Sequence, residues 1–417
     1  MRILYLSQYF PPEMGAPAAR VSELSARWVE RGHDVTVLTG MPNHPTGVVP
    51  EAYRRHLMLR EKWRGVSVLR TWIYATANKG VMRRGLAYGS FAASSVVLGA
   101  LAREMRRADV VVATSPQFFC ALSGLALARL WRVPYVLEIR DLWPQSIVEV
   151  GALPASHPIV GTLRRLERMA YAQADLLVGV TDSFAQIWRD QGVDPDKIRV
   201  VKNGVDLTAF RADIDGSAMR RELGVGSAFV VGYIGTIGMA HGLGTLLDVA
   251  EQLRGHQDIE FVVVGEGAQR AQLEADAAAR GLTRVRFVGQ LPRARIPEVL
   301  AATDLAVVML KDTPLFETVL PSKLFEIMGC ARPLLLAVGG EARRLAQDAG
   351  CGYIAPPEDV AAMTAAILRA KAEPEDARAR GQSGRRFVEQ HFDRVVLADR
   401  YLDELTGLAA RWRLAGC

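Results

Sequence analysis

Short, continuous runs of valine, isoleucine and leucine alternate with helix-length segments along most of this 417-residue chain. Strands that are apolar on both faces are typical of parallel sheets covered by helices on either side. The first series of runs lies at 2–10, 35–40, 66–74, 110–116, 135–141, 176–181 and 198–204. The second series lies at 229–236, 259–267, 285–290, 304–310, 333–339 and 352–357. The pattern predicts an α/β protein with two doubly wound parallel sheets.

The alternation stops at a polar, turn-rich segment, residues 203–217, and then starts again. A chain of this length exceeds the size at which one hydrophobic core stops growing, so two domains are expected. We place an N-terminal Rossmann-like domain at 1–204 and a C-terminal one at 205–392. A last helix within 393–417 is expected to pack back on the first domain. Ligands of open α/β sheets bind outside the carboxyl ends of the strands, so the site is expected in a cleft between the domains.

Basic residues are concentrated in one window of the first domain. The whole chain has a net charge of +6, but residues 54–107 contain twelve Arg or Lys and two Glu, a net charge of +10. Such a window attracts anions, so nucleic acid, a diphosphate and an acidic membrane surface are candidate partners. Within it, 81–107 is interpreted either as a buried helix flanked by surface charges or as a helix that lies on the cytosolic leaflet.

Targeting and metal signals are weak. No run of about 18 uncharged, wholly apolar residues appears. Arg2 leads into the first strand without a signal-peptide layout, so we expect the protein to start in the cytosol. Neither the four cysteines nor the seven histidines show zinc-site spacing. Two D-x-D pairs, at 194–196 and 213–215, lie in polar loops and are interpreted as solvated turns. Of the histidines, His44 and His241 are predicted to face the cleft.

Two kinds of glycine turn follow buried strands. In QYFPPEMGAP, Gly15 and Ala16 bring the backbone close to the predicted cleft at the start of a helix. In the second domain, GYIGTIGMAHGLG contains Gly235 and FVVVGEGAQR contains Gly265. Neither segment is a G-x-G-x-x-G turn followed by the acidic residue of a dinucleotide site, so a dehydrogenase is not favoured.

The segment LPSKLFEIMGCARP, residues 320–333, predicts a helix that begins after Pro321. Ser322 is its candidate cap, and Lys323 and Glu326 lie within the first turns, where the helix dipole presents partial positive charge. A cation and free backbone N–H groups at this position predict an anion site.

Taken in order, these segments resemble the retaining GT-B glycosyltransferases of family 4, also called group 1. The resemblance covers nearly the whole chain and rests on RILYLSQYFPPEMGAP, RGHDVTVLT, VVKNGVDLTAF, GYIGTIGMAHGL, FVVVGEGAQRAQLE, VRFVGQLPRARIPEVLAATDLAVV and PSKLFEIMGCARPLLL. PNHPTG and RDLWPQS resemble a branch that adds amino-sugar or deoxysugar units to lipid-linked intermediates of surface polysaccharide. The family implies a GT-B fold, in which two Rossmann-like domains face a cleft.

The resemblance also implies a donor site in the second domain. The glutamate that opens the last Rossmann helix, Glu326 here, would bind the ribose of the donor nucleotide. Ser322, Lys323 and the helix start would face the diphosphate. The earlier glutamate of the family's pair falls on Thr318, and Glu317, one place away, is the candidate for holding the transferred sugar.

Three further family positions are changed in this sequence. The Arg and Lys of the usual phosphate clamp fall on Thr236 and His241, which leaves Lys323 and Arg140 to neutralise the leaving group. Arg140 stands where the family often has histidine, and Asp141 follows it. The donor side is completed by Gly15, Ala16, Gly235 and Gly265, and the acceptor side consists of Asn43 and His44.

The function implied by the resemblance is transfer of an N-acetylamino or deoxy sugar from a UDP-linked donor to a polyprenyl-diphosphate-linked or other glycan acceptor. The anomeric configuration would be retained, with no metal or other cofactor. The enzyme would work in the cytoplasm on the inner face of the cell membrane, which 54–107 would contact. A nucleotide-sugar epimerase of the same architecture and a non-enzymatic anion-binding protein stay open as alternatives. The basic window lacks a recognised nucleic-acid-binding motif, so nucleic acid is not expected as a partner.

Overall fold

The computed structural model describes residues 1–13, 15–44, 46–76, 81–102, 105–115, 117–149, 151 and 153–415, with backbone alone at 81, 82 and 84. The chain forms two compact units. The first is Met1–Lys202 together with Val395–Cys417, and the second is Asn203–Arg394. The sequence-based boundary after residue 204 and the division after Lys202 fall in the same segment.

The first unit is built on one eight-stranded sheet. Its strands are β1 (Arg2–Leu6), β2 (Asp34–Gly40), β3 (Met58–Trp63), β4 (Val66–Thr71), β5 (Val110–Thr114), β6 (Tyr135–Ile139), β7 (Leu176–Gly179) and β8 (Ile198–Val200). Their order is β3-β4-β2-β1-β5-β6-β7-β8, and all neighbours except β3 and β4 pair in parallel. The chain winds outward in both directions from β1 and β5, so the loops after these two strands flank the switch point where ligands of such sheets bind.

The edge strand β3 is absent from the sequence prediction. It pairs antiparallel with β4 through a turn at Arg64 and Gly65, whose φ angles are 44° and 81°. Two consecutive residues with positive φ match the twist of a tight hairpin. Because β3 lies at the sheet edge, it is partly exposed and lacks the continuous apolar run on which the prediction relied.

The second unit contains a six-stranded sheet that is parallel throughout. Its strands are β9 (Phe229–Ile234), β10 (Ile259–Val264), β11 (Val285–Gly289), β12 (Leu305–Met309), β13 (Leu334–Ala337) and β14 (Gly352–Ile354). Their order is β11-β10-β9-β12-β13-β14, with the switch point between β9 and β12. The two doubly wound α/β layers predicted from the sequence are therefore confirmed.

Helices cover both faces of each sheet. Those of the first unit are α1 (Ala16–Glu30), α2 (Val81–Leu101), α3 (Phe119–Trp131), α4 (Gln145–Glu149), α5 (Pro158–Gln173) and α6 (Asp182–Asp190). Those of the second are α7 (Ser217–Leu223), α8 (Gly244–Gln252), α9 (Arg270–Ala279), α10 (Ile296–Ala302), α11 (Ser322–Gly329), α12 (Gly340–Ala349), α13 (Val360–Ala372) and α14 (Pro374–His391). The last helix is α15 (Arg394–Leu414). Within the described ranges, no helix is both long and apolar enough to cross a membrane.

Helix α15 packs against α1 on one face of the first sheet. The Trp28 indole donates a hydrogen bond to the carbonyl of Ala398 at 3.0 Å and packs edge-on against Tyr401. Val37 of β2 belongs to the same core cluster. The next residue, Leu38, points to the other face, where it lies beside Gly99 of α2. Helices α2 and α15 therefore cover opposite faces of this sheet.

A buried carboxylate joins three elements at the centre of the first unit. Glu138 of β6 accepts hydrogen bonds from Tyr5 Oη at 2.9 Å, from Thr114 Oγ1 at 2.7 Å and from Arg20 Nη2 at 2.9 Å. The same Arg20 nitrogen donates to the carbonyl of Val201 at 2.9 Å. Burial opposes the charge of Glu138, but the Arg20 guanidinium and the other donors outweigh it and hold its pKa below the usual range.

We expect Glu138→Gln to lower the free energy of unfolding by about 3 kcal/mol, because it leaves a buried guanidinium without its counter-charge. The pKa of Glu138 is lower in the folded chain than in the unfolded one, so its stabilising effect is present above about pH 4 and is lost as the pH falls. Urea unfolding of both proteins at pH 7 and in acid measures the difference.

The control is Glu30→Gln, which removes an exposed carboxylate from α1. It should change stability by no more than about 0.5 kcal/mol. Equal effects of the two substitutions at pH 7 would contradict the importance of the buried pair.

Candidate functional site

Two glycine loops meet at the carboxyl ends of β9 and β10. Gly235 and Gly265 have φ angles of 148° and 150°, which other residues rarely adopt. The amide of Gly235 donates to the carbonyl of Val264 at 2.9 Å, and a Cβ on Gly265 would overlap the carbonyl oxygen of Gly235. Both glycines are therefore required for the loops to pack backbone against backbone beside the switch point.

Lys323 extends from the start of α11 into the space that Gly235 leaves open. A Cβ on Gly235 would lie only 2.6 Å from Lys323 Nζ, so any other residue would displace the ammonium group. The Nζ atom is 3.9 Å from the ring centroid of Tyr233. It is fully buried, and no acceptor in the described part of the chain receives a hydrogen bond from it. The tertiary structure thus fixes a buried cation against the glycine loop.

Burial controls the protonation of this group and of its neighbour. It lowers the pKa of Lys323 to about 7, although the nearby charge of Glu326 acts in the opposite direction. Burial, together with the positive charge of Lys323, lowers the pKa of His241 to about 3. The His241 ring packs edge-on against Tyr233, and its Nδ1 has no hydrogen-bond partner among the described residues. Near neutral pH, the pair therefore consists of a partly protonated amine and a neutral imidazole.

Glu326 is held by a partner that the sequence analysis missed. Arg293 Nη2 lies 3.0 Å from Glu326 Oε1, and the Glu326 side chain is only 14% exposed. The guanidinium of Arg293 also lies over the ring of Phe210, 5.5 Å from its centroid. The segment QLPRAR directly after β11 could have indicated this residue, because all parallel strands of the sheet end at the same edge.

The start of α11 differs from the prediction in one respect. The capping residue is Pro321, no side chain caps the helix, and Ser322 is the first helical residue. The prediction that Ser322 caps the helix is therefore wrong, since the residue lies one position too late. The backbone N–H groups of the first turn of α11 therefore have no side-chain cap. They lie at the N-terminal end of the helix, where the helix dipole attracts anions.

Two further predicted residues lie on the surface of the second unit. Thr236 is exposed, and its carbonyl accepts a hydrogen bond from Tyr233 Oη at 2.7 Å. Glu317 is exposed and lies against Gly339 and Gly340, at the start of α12. The roles predicted for these two residues stay predictions.

In the first unit, Arg140 is tied to the turn that contains Gly15. Its guanidinium donates to the carbonyls of Ala16 at 2.9 Å and Pro17 at 3.2 Å, at the start of α1. Gly15 precedes this helix with a φ of 123°. Asp141 follows Arg140, and burial raises the pKa of its carboxyl, opposed by the Arg140 charge. Arg140 therefore positions the glycine turn, and its role at the leaving group stays a prediction.

Asn43 and His44 are joined to the first loop by Glu13, which the sequence analysis also missed. Their backbone amides both donate to Glu13 Oε1 at 2.9 Å. The His44 ring packs edge-on against Tyr9, with centroids 5.5 Å apart, and partial loss of hydration lowers the pKa of His44. Burial raises the pKa of Glu13, although Asn43, His44 and Phe10 donate hydrogen bonds to it. Asn43 and His44 thus lie beside the loop that follows β1.

The D-x-D pairs form turns, as the sequence indicated. Asp194 Oδ1 accepts from the amide of Asp196 at 3.0 Å, and Asp215 Oδ1 accepts from the amide of Ser217 at 2.9 Å. In the described part of the chain, no three His, Cys, Asp or Glu side chains converge as they would at a metal ion.

Two family models match this chain in succession. The model described as a Glycosyl transferase 4-like domain matches residues 15–204, and the model described as Glycosyl transferases group 1 matches residues 217–387. Together they cover most of both units.

Two proteins with sequences similar to this chain are named as glycosyltransferases. The putative colanic acid biosynthesis glycosyl transferase WcaI of Escherichia coli is 26% identical over 423 residues, which is 98% of this chain and 100% of that protein. The probable glycosyltransferase WbjE of Pseudomonas aeruginosa is 26% identical over 270 residues, covering 64% of this chain and 67% of its own.

Solved structures share the architecture at lower sequence similarity. HepE of Anabaena, in a crystal structure with UDP and glucose, superposes with a TM-score of 0.72 over 97% of this chain and 99% of its own, at 18% identity. Family membership favours sugar transfer over the epimerase and anion-binding alternatives. The chain therefore belongs to the group 1, family 4 glycosyltransferases and has their GT-B fold.

Proposed function

We propose that this enzyme transfers an N-acetylamino or deoxy sugar from a UDP-linked donor to a lipid-linked glycan in cell-surface polysaccharide biosynthesis. The observation that carries the proposal is the buried ammonium group of Lys323 against the Gly235 loop. A buried cation that finds no acceptor among the described residues, beside an uncapped helix start, suits a diphosphate. The crystal structure of HepE with UDP and the description of WcaI support the choice of donor and pathway.

In this proposal each donor-site residue has a distinct task. Glu326, oriented by Arg293, accepts hydrogen bonds from the ribose hydroxyls. Lys323 meets the diphosphate and replaces the basic residues that the family has at positions 236 and 241. Gly235 and Gly265 allow the backbone to approach the phosphates closely. Neutral His241 adds a hydrogen-bonding group without a second charge.

Transfer would occur with retention and without an enzymic nucleophile. The bond between the anomeric carbon and the diphosphate oxygen breaks, and the acceptor oxygen bonds to the same face of that carbon. The proton of the acceptor hydroxyl passes to the departing diphosphate. Lys323 and the dipole of α11 stabilise the charge that develops on the leaving group.

The acceptor side of the proposal lies in the first unit. Asn43 and His44, held by Glu13, would contact the glycan, while Arg140 keeps the Gly15 turn in place. A polyprenyl-diphosphate carrier would bring the acceptor to the inner face of the cell membrane, where the basic window 54–107 would meet anionic lipid.

The pH dependence of UDP binding tests the role of Lys323. Because the pKa of Lys323 is about 7, binding at higher pH has to recover a proton for the ammonium group. We expect the affinity for UDP to fall on the order of tenfold between about pH 7 and about pH 8.5. Isothermal titration calorimetry, in buffers with different ionisation enthalpies, should also detect the uptake of a proton.

The matched variant is Lys323→Met, which keeps the length of the side chain. It should bind UDP weakly at every pH and show no proton uptake. If this variant kept the affinity or the proton uptake of the wild type, Lys323 would not be the group that meets the diphosphate.

Glu326→Ala should raise the donor KM by about tenfold or more and reduce kcat, because the ribose loses a charge-assisted acceptor. Steady-state kinetics with varied donor concentration measure both constants. The control is Glu298→Ala, which removes a partly exposed carboxylate from α10 and should leave both constants unchanged. Wild-type kinetics in Glu326→Ala would contradict the assignment.

Turnover should be insensitive to chelators, because Lys323 and the helix start are proposed to carry the charge of the leaving group. Transfer assays after incubation with EDTA and gel filtration test this point. Loss of activity that is restored by Mg²⁺ or Mn²⁺ would overturn the metal-free part of the proposal.

A further inference from the structure

Helix α2 exposes an apolar stripe on the surface of the first unit. Leu86, Val97 and Leu101 are exposed, and Val97 reaches 58%. Their spacings of eleven and four residues place them on the same face of a helix. No charged residue occurs from 85 to 102. The face that carries the stripe is therefore uncharged along most of the helix.

The segment after β4 borders this stripe. The amide of Tyr74 donates to Ser90 Oγ at 2.8 Å, and Ser94 Oγ donates to the carbonyl of Trp72. The amide of Trp72 donates to the carbonyl of Leu57 at 2.9 Å. Ser90 and Ser94 are four and eight residues after the start of the stripe, so this segment adjoins the same face of α2.

Together these side chains form one surface, which we call the apolar surface. It consists of Leu57, Trp72, Tyr74, Leu86, Val97 and Leu101. All six are large hydrophobic side chains that are exposed in this structure, including 44% of Trp72. Large apolar side chains that are exposed side by side indicate an interaction site.

Among the described residues, most charged side chains that lie next to the apolar surface along the chain are basic. The exposed cations of the window, among the described side chains, are Arg54, Arg55, Arg60, Lys62, Arg64, Arg83, Arg106 and Arg107. The acidic Glu61 is compensated by Arg70, at a nitrogen-oxygen distance of 2.6 Å. Of the basic window, Lys79, Arg103, Glu104 and the side chain of Arg84 lie outside the described residues.

We infer that the apolar surface inserts into the headgroup region of an anionic phospholipid bilayer, with α2 lying in the membrane plane. Tryptophan and tyrosine prefer the interface because they combine an apolar ring with a polar group. The flanking arginines complement lipid phosphates, and the leucine and valine side chains reach the acyl chains. Nucleic acid would satisfy the arginines but would leave the exposed aliphatic side chains in water. The inference deepens the proposed membrane contact and rests on the proposed function only for the lipid-linked acceptor.

Sedimentation with vesicles tests the inference. Wild-type protein should bind vesicles composed of equal parts of phosphatidylcholine and phosphatidylglycerol. It should bind vesicles of pure phosphatidylcholine more weakly, and a duplex DNA more weakly as well. Val97→Glu should reduce binding to the anionic vesicles by about tenfold or more, since a carboxylate would enter the apolar layer.

The matched control is Val396→Glu, which makes the same change on α15, on the opposite face of the sheet. Val396 is 47% exposed, so the substitution should be tolerated and vesicle binding should stay at the wild-type level. Equal binding by Val97→Glu and wild type, equal loss in both variants, or no binding by wild type would each overturn the inference.

Tryptophan emission provides a second measurement. The difference spectrum between wild type and Trp72→Phe isolates Trp72, whose emission should shift to shorter wavelength when anionic vesicles are added. An unchanged difference spectrum would contradict insertion even if Val97→Glu failed to fold. UDP binding and transfer to a water-soluble acceptor should be unaltered in Val97→Glu, so failure of the membrane inference can be distinguished from failure of the proposed function.

Discussion

The proposed donor site depends on the contact between Lys323 Nζ and the space left by the missing Cβ of Gly235. The amine is buried over the Tyr233 ring and has no acceptor in the part of the chain that the structure describes. This burial lowers its pKa to about 7. In the proposed complex, a phosphate would supply negative charge, favour the protonated amine and form an ion pair with little competition from water. Burial and the positive charge of Lys323 lower the pKa of His241 to about 3, so its imidazole is neutral near pH 7.

Buried carboxylates have a different task in the first unit. Glu138 of β6 pairs with Arg20 of α1, and Arg20 also donates a hydrogen bond to the carbonyl of Val201, just after β8. Glu13 connects the loops after β1 and β2. Each accepts several hydrogen bonds, as a buried carboxylate must if its desolvation is to be compensated. Glu138 therefore ties the strands beside the switch point of the first sheet to α1, and Glu13 holds Asn43 and His44 beside the loop after β1.

Much of the fold could be predicted from the sequence, because strands covered on both faces must be continuously apolar and this pattern is local. The edge strand β3 escaped prediction because it is only half covered and contains three consecutive charged residues. In the site, Gly235 could be placed because it lies in the turn directly after a predicted strand. Lys323 and Glu326 could be placed because they lie within the first turns of one predicted helix. Ser322 was misplaced as a cap because Pro321, which offers no side-chain acceptor, takes that position.

The sequence by itself determined the two α/β layers, the glycine turns after the strands, and the location of a cation and a carboxylate one turn apart in α11. Each of these depends on residues close together in the chain. Only the tertiary structure decided that Arg293 pairs with Glu326, that Glu13 binds the amides of Asn43 and His44, and that Lys323 loses its hydration. Those properties arise from residues about 30 to 90 positions apart in the chain, which each sheet brings together at its own carboxyl edge. Burial at that edge then sets the charge of the side chains.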